Sequence, residues 1–291
     1  MTTERSTPAG LVGASLGVAC WAAGNVMVVE APMPGLQIAF WRIFLGAVVF
    51  SGLVYVSGRR LTADMVRAVA PAGIVISLEI AVFFVALRNT AVANATVISN
   101  LTPIVLLAVA ARSFNERVTG LLIAVTGVSM IGVVLVVFGS TQHSTWQPRG
   151  DLLAFVAMFL FAAYFATAKR GRETVPILEF QACLWIVGTV VLFPVSVVDA
   201  GGIDWPSATQ WAWLAALLAV PGTGHMLMNW AHSHVRLVIT SMLTLAIPIL
   251  SSIGAVLFLD ETVNAVQILG MTITLVALGL VVRREAELRT A

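Results

Sequence analysis

An all-α membrane protein of ten transmembrane helices, built as two inverted five-helix repeats around a central cavity, is the fold class this sequence predicts. Three observations carry it. Apolar stretches of about twenty residues, the length that crosses a hydrocarbon core, follow one another along the whole chain. Only 10% of the 291 residues are charged while 59% are hydrophobic, a balance that no soluble core of this size requires. The second half also repeats landmarks of the first at a nearly constant offset.

The predicted spans are 10–29, 36–57, 68–88, 91–111, 120–139, 150–169, 176–198, 211–232, 235–258 and 265–282. In the first, Gly13 and Gly17 form a small-xxx-small pair suited to close helix packing, followed by Trp21 and Asn25. This stretch is too long for a signal-peptide core and is read as a mature helix. The second carries Arg42, close enough to the outer edge to snorkel. In the third, Glu79 is the sole carboxylate near the middle of any span, with Phe83 on the same face. A membrane-centre carboxylate must be protonated, paired or solvated, and it is a candidate for a substrate ammonium or a coupling proton.

The fourth span sets Thr96, Ser99, Asn100 and Pro103 in an i, i+3, i+4, i+7 stripe. In the fifth, Gly127-Val-Ser129-Met-Ile-Gly132 is not a nucleophile elbow. The sixth is rich in aromatics and holds Tyr164, and the seventh holds Cys183 and Trp185. Cys183 and Cys20 read as small core residues. The eighth sets His225, Asn229 and His232 on one face, and His225 is a candidate partner of Glu79. The ninth offers Thr240, Thr244, Pro248 and Ser251 at similar spacing. Pro103 and Pro248 each remove a backbone donor, which frees the carbonyls of Ser99 and Thr244 and makes both helices candidate gates. Interhelical hydrogen bonding is the competing reading for each serine and threonine. Trp146, Trp205, Trp211 and Trp213 fall in or beside outer loops as an interfacial belt.

Charge sets the orientation. With a cytoplasmic N-terminus, thirteen of the sixteen Lys and Arg residues fall on the cytoplasmic side and two, Arg88 and Arg149, fall outside; Arg42 is within a span. That bias predicts a multi-pass protein of the cell inner membrane with both termini cytoplasmic.

The duplication is clearest between 89–139 and 234–284 at an offset of 145. There Pro103-Ile104 meets Pro248-Ile249, Glu116 meets Glu261, and Asn115 meets Asp260. Ala22-Ala23 meets Ala162-Ala163 at an offset of 140. The chain thus divides into two halves, 1–143 and 144–291, and an odd number of spans per half inverts the second relative to the first. Inverted repeats are the architecture of secondary transporters, whose halves rock about a site near the midplane.

The stretch Arg88-Asn-Thr-Ala-Val-Ala-Asn-Ala-Thr-Val-Ile-Ser-Asn-Leu-Thr-Pro103 followed by Glu116-Arg117 resembles the drug/metabolite transporter superfamily, in its ten-helix EamA-type branch. Gly150-Asp-Leu-Leu-Ala154 is similar to the start of that family's second repeat, and Phe40-Trp-Arg42 to its second-helix arginine. Within the branch the chain looks most like YddG-type exporters of aromatic and other neutral amino acids. The second copy departs from the pattern at Asp260-Glu261-Thr262, which lacks the usual arginine. The resemblance implies that spans 1, 3, 4, 6, 8 and 9 surround the cavity and that spans 5 and 10 lie at the periphery. It also puts the pathway within one protomer, so a monomer suffices.

The function expected is alternating-access export of small amphipathic metabolites, chiefly aromatic and other neutral amino acids. Drugs, nucleosides and other metabolites are the alternative substrates. The cavity candidates are Trp21, Asn25, Glu79, Phe83, Ser99, Asn100, Tyr164, His225, Asn229, Thr240 and Thr244. An intramembrane enzyme finds no catalytic set in this sequence, and a channel is disfavoured by the inverted duplication. The expected partners are a small-molecule substrate, the lipid bilayer and, as a candidate coupling ion, the proton. No cofactor, metal or nucleic acid is expected; His232-x-His234 supplies only two ligands. Without a nucleotide-binding loop, ATP does not drive the chain directly.

Overall fold

The computed structural model describes residues 6–87, 89–90, 92–140, 147–200, 204–258 and 263–287. Arg88, Trp146 and the Asp260-Glu261-Thr262 stretch lie outside them. Among the described residues there is no β-strand, and nine helices are long and apolar enough to cross a membrane. Helix α1 (Pro8–Glu30) starts with proline in its first turn, where no amide donor is needed, and Thr7 caps it by accepting from the Gly10 amide at 3.0 Å. Next come α2 (Gly35–Val56) and α3 (Ala63–Leu87).

The fourth crossing is broken. Helix α4 (Val92–Ser99) ends one residue before Asn100 and Leu101, and α5 (Thr102–Ser113) begins after them, with Pro103 in its first turn. The expected bend at Pro103 is thus a full interruption: proline opens a new helix rather than kinking a continuous one.

Helices α6 (Gly120–Ser140), α7 (Pro148–Thr174) and α8 (Ile177–Ala200) come next. The eighth crossing comprises α9 (Ala208–Leu217), a π-turn over Leu218–Gly222 that contains Pro221, and α10 (Thr223–Ala231). A capping box formed by Ser207 and Gln210 opens α9. The ninth comprises α11 (Leu237–Leu243), a 3₁₀ turn over Thr244–Ala246, and α12 (Ile247–Phe258); α13 (Ala265–Glu287) closes the chain.

Helix starts recur with the sequence offset. Pro8 and Pro148 open α1 and α7 at a spacing of 140. At 145, α3 and α9 open on Ala63 and Ala208, and α6 and α13 on Gly120 and Ala265. Helices α5 and α12 are both twelve residues long and open on Thr102 and Ile247 at the same spacing.

Packing follows small residues. Helix α3 lies along α7 and α8, α2 along α8, and α1 against α10 and α12. A Cβ on Gly17 would stand 3.0 Å from the Gly224 carbonyl, and one on Gly224 2.9 Å from the Gly17 carbonyl. Gly13, one turn away, receives the ring of Trp230. Helices α6 and α13 take each other as their main partners. There a Cβ on Gly270 would come within 2.5 Å of the Gly132 carbonyl, and the Thr274 hydroxyl donates to the Ser129 carbonyl at 3.1 Å. Their outer faces, including Ile123, Ile131, Val276 and Leu280, are exposed and apolar, as a lipid-facing surface must be.

Gly132→Val and Gly270→Val force these two helices apart. Each should destabilise the purified protein by about 1–3 kcal/mol, seen as a lower midpoint in thermal unfolding in detergent.

Candidate functional site

Arg42 and Glu79 are charged side chains set well inside the second and third spans. Arg42 stands seven residues in from the start of α2 and Glu79 eight before the end of α3, about 10–12 Å from the same end of the bundle at 1.5 Å per residue. Both are half-buried, and each lies in the other's electrostatic field. Among the described residues, no hydrogen bond or ion pair within 4.0 Å satisfies either one. Glu79 also acts on Tyr164, and Arg42 on His225. Arg42 is thus the charged group that acts on Glu79, and His225 lies in the field of Arg42.

On the terminal side of this pair (the side holding the N-terminus) lies an aromatic layer. The His225 ring sits 4.9 Å from that of Trp21 and 5.4 Å from that of Trp185, centroid to centroid. Phe161 and Phe165 flank Trp21 at 6.2 and 6.4 Å. Below it, the Tyr164 hydroxyl donates to Asn229 Oδ1 at 2.9 Å, and Asn229 Nδ2 donates to Gln181 Oε1 at 3.0 Å, all three fully buried.

The terminal end is closed by charge. Glu116, beyond α5, accepts the Leu237 and Val238 amides at 2.6 and 3.1 Å, which caps the start of α11. Lys169 of α7 lies 3.5 Å from Glu116 and donates to the Val235 carbonyl at 3.1 Å; the two side chains are 3% and 6% exposed. Arg236 approaches Glu116 at 4.0 Å. Arg172 donates to the Asn229 carbonyl at 3.2 Å, to the Val175 carbonyl and to the Ser233 hydroxyl. The Thr7 amide donates to the His234 carbonyl at 2.7 Å, which brings the start of α1 into the same seal. His232 is buried edge-on against Phe165. His234 stacks on Trp230 at 4.2 Å instead of facing His232's partners.

The structure thus brings Trp21, Tyr164, His225 and Asn229 together beneath Glu79. The remaining candidates lie elsewhere. Asn25, nearer the opposite end, donates to the Ser251 hydroxyl at 3.2 Å and ties α1 to α12. Phe83 packs with Ala86, Ile98, Ala154 and Met158 between α3, α4 and α7. Asn100 is half-buried in the break after α4. Thr240 and Thr244 are buried and donate to the carbonyls of Leu237 and Ser241 at 3.0 and 2.6 Å. The carbonyls expected to be free are engaged: Ser99 accepts the Thr102 hydroxyl at 2.7 Å, and Thr244 accepts the Ile247 amide.

Sequence reasoning missed Gln181, the cluster role of Trp185, and the seal made by Lys169, Arg172 and Arg236. It also missed the π-turn, although Pro221-Gly222 inside the eighth span was a visible signal.

The EamA-like transporter family model matches residues 8–138 and again 148–283, and the chain belongs to that family. It is 27% identical over 79% of its length to an uncharacterised transporter of Synechocystis, of which it spans 66%. It is 24% identical to the pseudopaline exporter CntI of Pseudomonas aeruginosa, over 87% of this chain and 88% of that one. One solved crystal structure superposes with a TM-score of 0.82 at 17% identity, over 97% of this chain and 99% of that one, and shares the fold. The protein is accordingly a transporter of small molecules embedded in a membrane.

Truncating Glu116 leaves Lys169 a buried cation without its carboxylate and uncaps α11. Glu116→Ala should cost about 3–5 kcal/mol, read as a lower thermal midpoint, while Arg67→Ala at the exposed Asp64–Arg67 pair should leave that midpoint unchanged.

Proposed function

We propose that this chain exports small amphipathic zwitterions by alternating access, chiefly aromatic and other neutral amino acids, in the manner of the YddG-type branch that it resembles. The observation that carries the reading is the Arg42–Glu79 pair: two opposite charges at one depth, half-buried, without a partner, beside an aromatic wall. Charges left unpaired at membrane depth are costly unless a ligand or water satisfies them. A guanidinium suits a substrate carboxylate, a carboxylate suits a substrate ammonium, and the aromatic layer suits an apolar side chain.

The recurring helix starts at 140 and 145 and the double family match support two five-helix repeats, 1–143 and 144–291, that rock against each other. The charge asymmetry supports cytoplasmic termini in the inner membrane, which makes the seal around Glu116 the candidate inner gate. Glu79 is also the carboxylate suited to carry a coupling proton. One protomer holds every residue invoked, and a monomer suffices.

A second reading comes from the CntI likeness: export of pseudopaline or a compound of its kind. Counterflow in proteoliposomes separates the two. Labelled phenylalanine, methionine or threonine should exchange saturably against unlabelled amino acid, and pseudopaline should not compete. Arg42→Met and Glu79→Gln should each lower kcat/KM by roughly tenfold to a hundredfold, the loss expected for a charge-assisted hydrogen bond. Absence of amino-acid exchange, with pseudopaline exchanging, would replace the first reading by the second.

A further inference from the structure

We propose that Trp21, Trp185 and His225 form a second, hydrogen-bonding subsite on the terminal side of the Arg42–Glu79 pair, which takes an acceptor group at the end of the substrate's side chain. The inference rests on the amino-acid reading above and narrows it to side chains that end in a hydroxyl or carbonyl.

Unmet hydrogen-bonding atoms occur in this layer and just below it. Trp21 Nε1, Trp185 Nε1, His225 Nδ1 and Gln181 Nε2 are buried without a partner, four of eight such atoms among the described residues. Their side chains are not loosely held: Trp21 is 8% exposed, Trp185 2% and His225 8%. An indole is a donor and nothing else, so its N–H finds no relief by rotating into an accepting role. A phenylalanine at either position would supply the same apolar ring without the penalty of a dry, unpaired donor. The two indoles flank a single imidazole, so three of the unmet atoms belong to rings in mutual contact.

The position of that locus sets the ligand's length. Trp185 Nε1 lies 3.3 Å from where a Cβ on Gly46 would stand. Gly46 is one turn of α2 beyond Arg42, about 6 Å along the axis. A zwitterionic head held by Arg42 and Glu79 therefore directs its side chain down onto the indoles, and an acceptor about one helical turn from the head meets them. A phenolic hydroxyl is at that reach, whereas a phenyl ring fills the space without pairing the donors. In the present state the layer is closed, and its donors are sealed from the charges above. They become available as the inner gate opens and the substrate descends.

The test is competition in counterflow with the full-length chain in proteoliposomes. Labelled phenylalanine is exchanged in the presence of unlabelled tyrosine or phenylalanine, two probes that differ by one hydroxyl. For the unaltered protein, tyrosine should compete roughly tenfold better, the worth of one added hydrogen bond in a dry site. In Trp185→Phe and Trp21→Phe, which keep the ring and delete the donor, the ratio should fall toward one. The ratio is internal to each variant and is insensitive to how much protein folds. A ratio at or below one in the unaltered protein, or a tyrosine preference untouched by both substitutions, would overturn the subsite while leaving amino-acid export standing. Failure of both probes, and of methionine and threonine, to exchange would instead overturn the amino-acid reading and this substrate class with it. If Trp185→Phe does not fold, the unaltered ratio and Trp21→Phe still decide.

Discussion

Lipid offers no hydrogen bonds, and that single fact arranges this molecule. Every amide, hydroxyl and charge between the two faces of the bilayer must be satisfied by the chain itself or by something that the chain admits. Most of the interior obeys in the cheapest way. Ser77 and Thr126 return their hydroxyls to carbonyls one turn back, at 2.7 and 2.8 Å. The broken fourth and ninth crossings re-use local partners for the carbonyls that proline would orphan. Larger amides need longer-range solutions, and Tyr164, Asn229 and Gln181 supply them to each other across three helices.

Set against that background, the groups left over among the described residues include two charges at one depth and, beside them, the two indoles and the imidazole of the aromatic layer. Their neighbours explain why they stay together. Helix α8 packs on both α2 and α3, so the helices bearing Arg42 and Glu79 share a common support. Gly46 and Gly188 let α8 sit close, with Trp185 against the first, and Ile43 and Ser77 against the second. The ion cluster at the terminal end does a different job. Glu116, Lys169 and Arg236 join the ends of α5, α7 and α11, which belong to different halves of the chain. The helices that carry Arg42 and Glu79 and the ion cluster at the terminal end are thus held by separate sets of contacts.

How much of this was legible in the sequence depended on the range of the interaction. Membrane character and helix boundaries are local consequences of composition and length, and nearly every span was visible. Gly13 and Gly17 announced a close crossing because small residues four apart have few other uses in a span. The prolines at 103 and 248 marked real departures from regular helix. The carbonyls in question are occupied locally, at Ser99 by the Thr102 hydroxyl and at Thr244 by the Ile247 amide. Thr240 and Thr244 looked like a polar stripe facing a cavity, yet their hydroxyls turn back on their own helix, and spacing alone does not distinguish the two. Lys169, Arg172 and Arg236 read as orientation signals because charge counting treats each residue alone. Their second role, in drawing helix ends together around the Glu116 end of the bundle, depends on contacts more than fifty residues apart. The coupling of Arg42 with Glu79 was hidden for the same reason.

The π-turn at Leu218–Gly222 carries a consequence for comparison with relatives. One residue more than the helical ladder requires is absorbed there, and each added residue rotates the remainder of the helix by about 100°. His225 and Asn229 follow that turn and are buried, so a gap-free alignment to a relative with a regular eighth helix would pair them with residues rotated by that amount. Correspondence between such chains has to be drawn with a one-residue offset that begins at Pro221. Otherwise a buried residue in one protein would be equated with a residue on another face of the helix in the other.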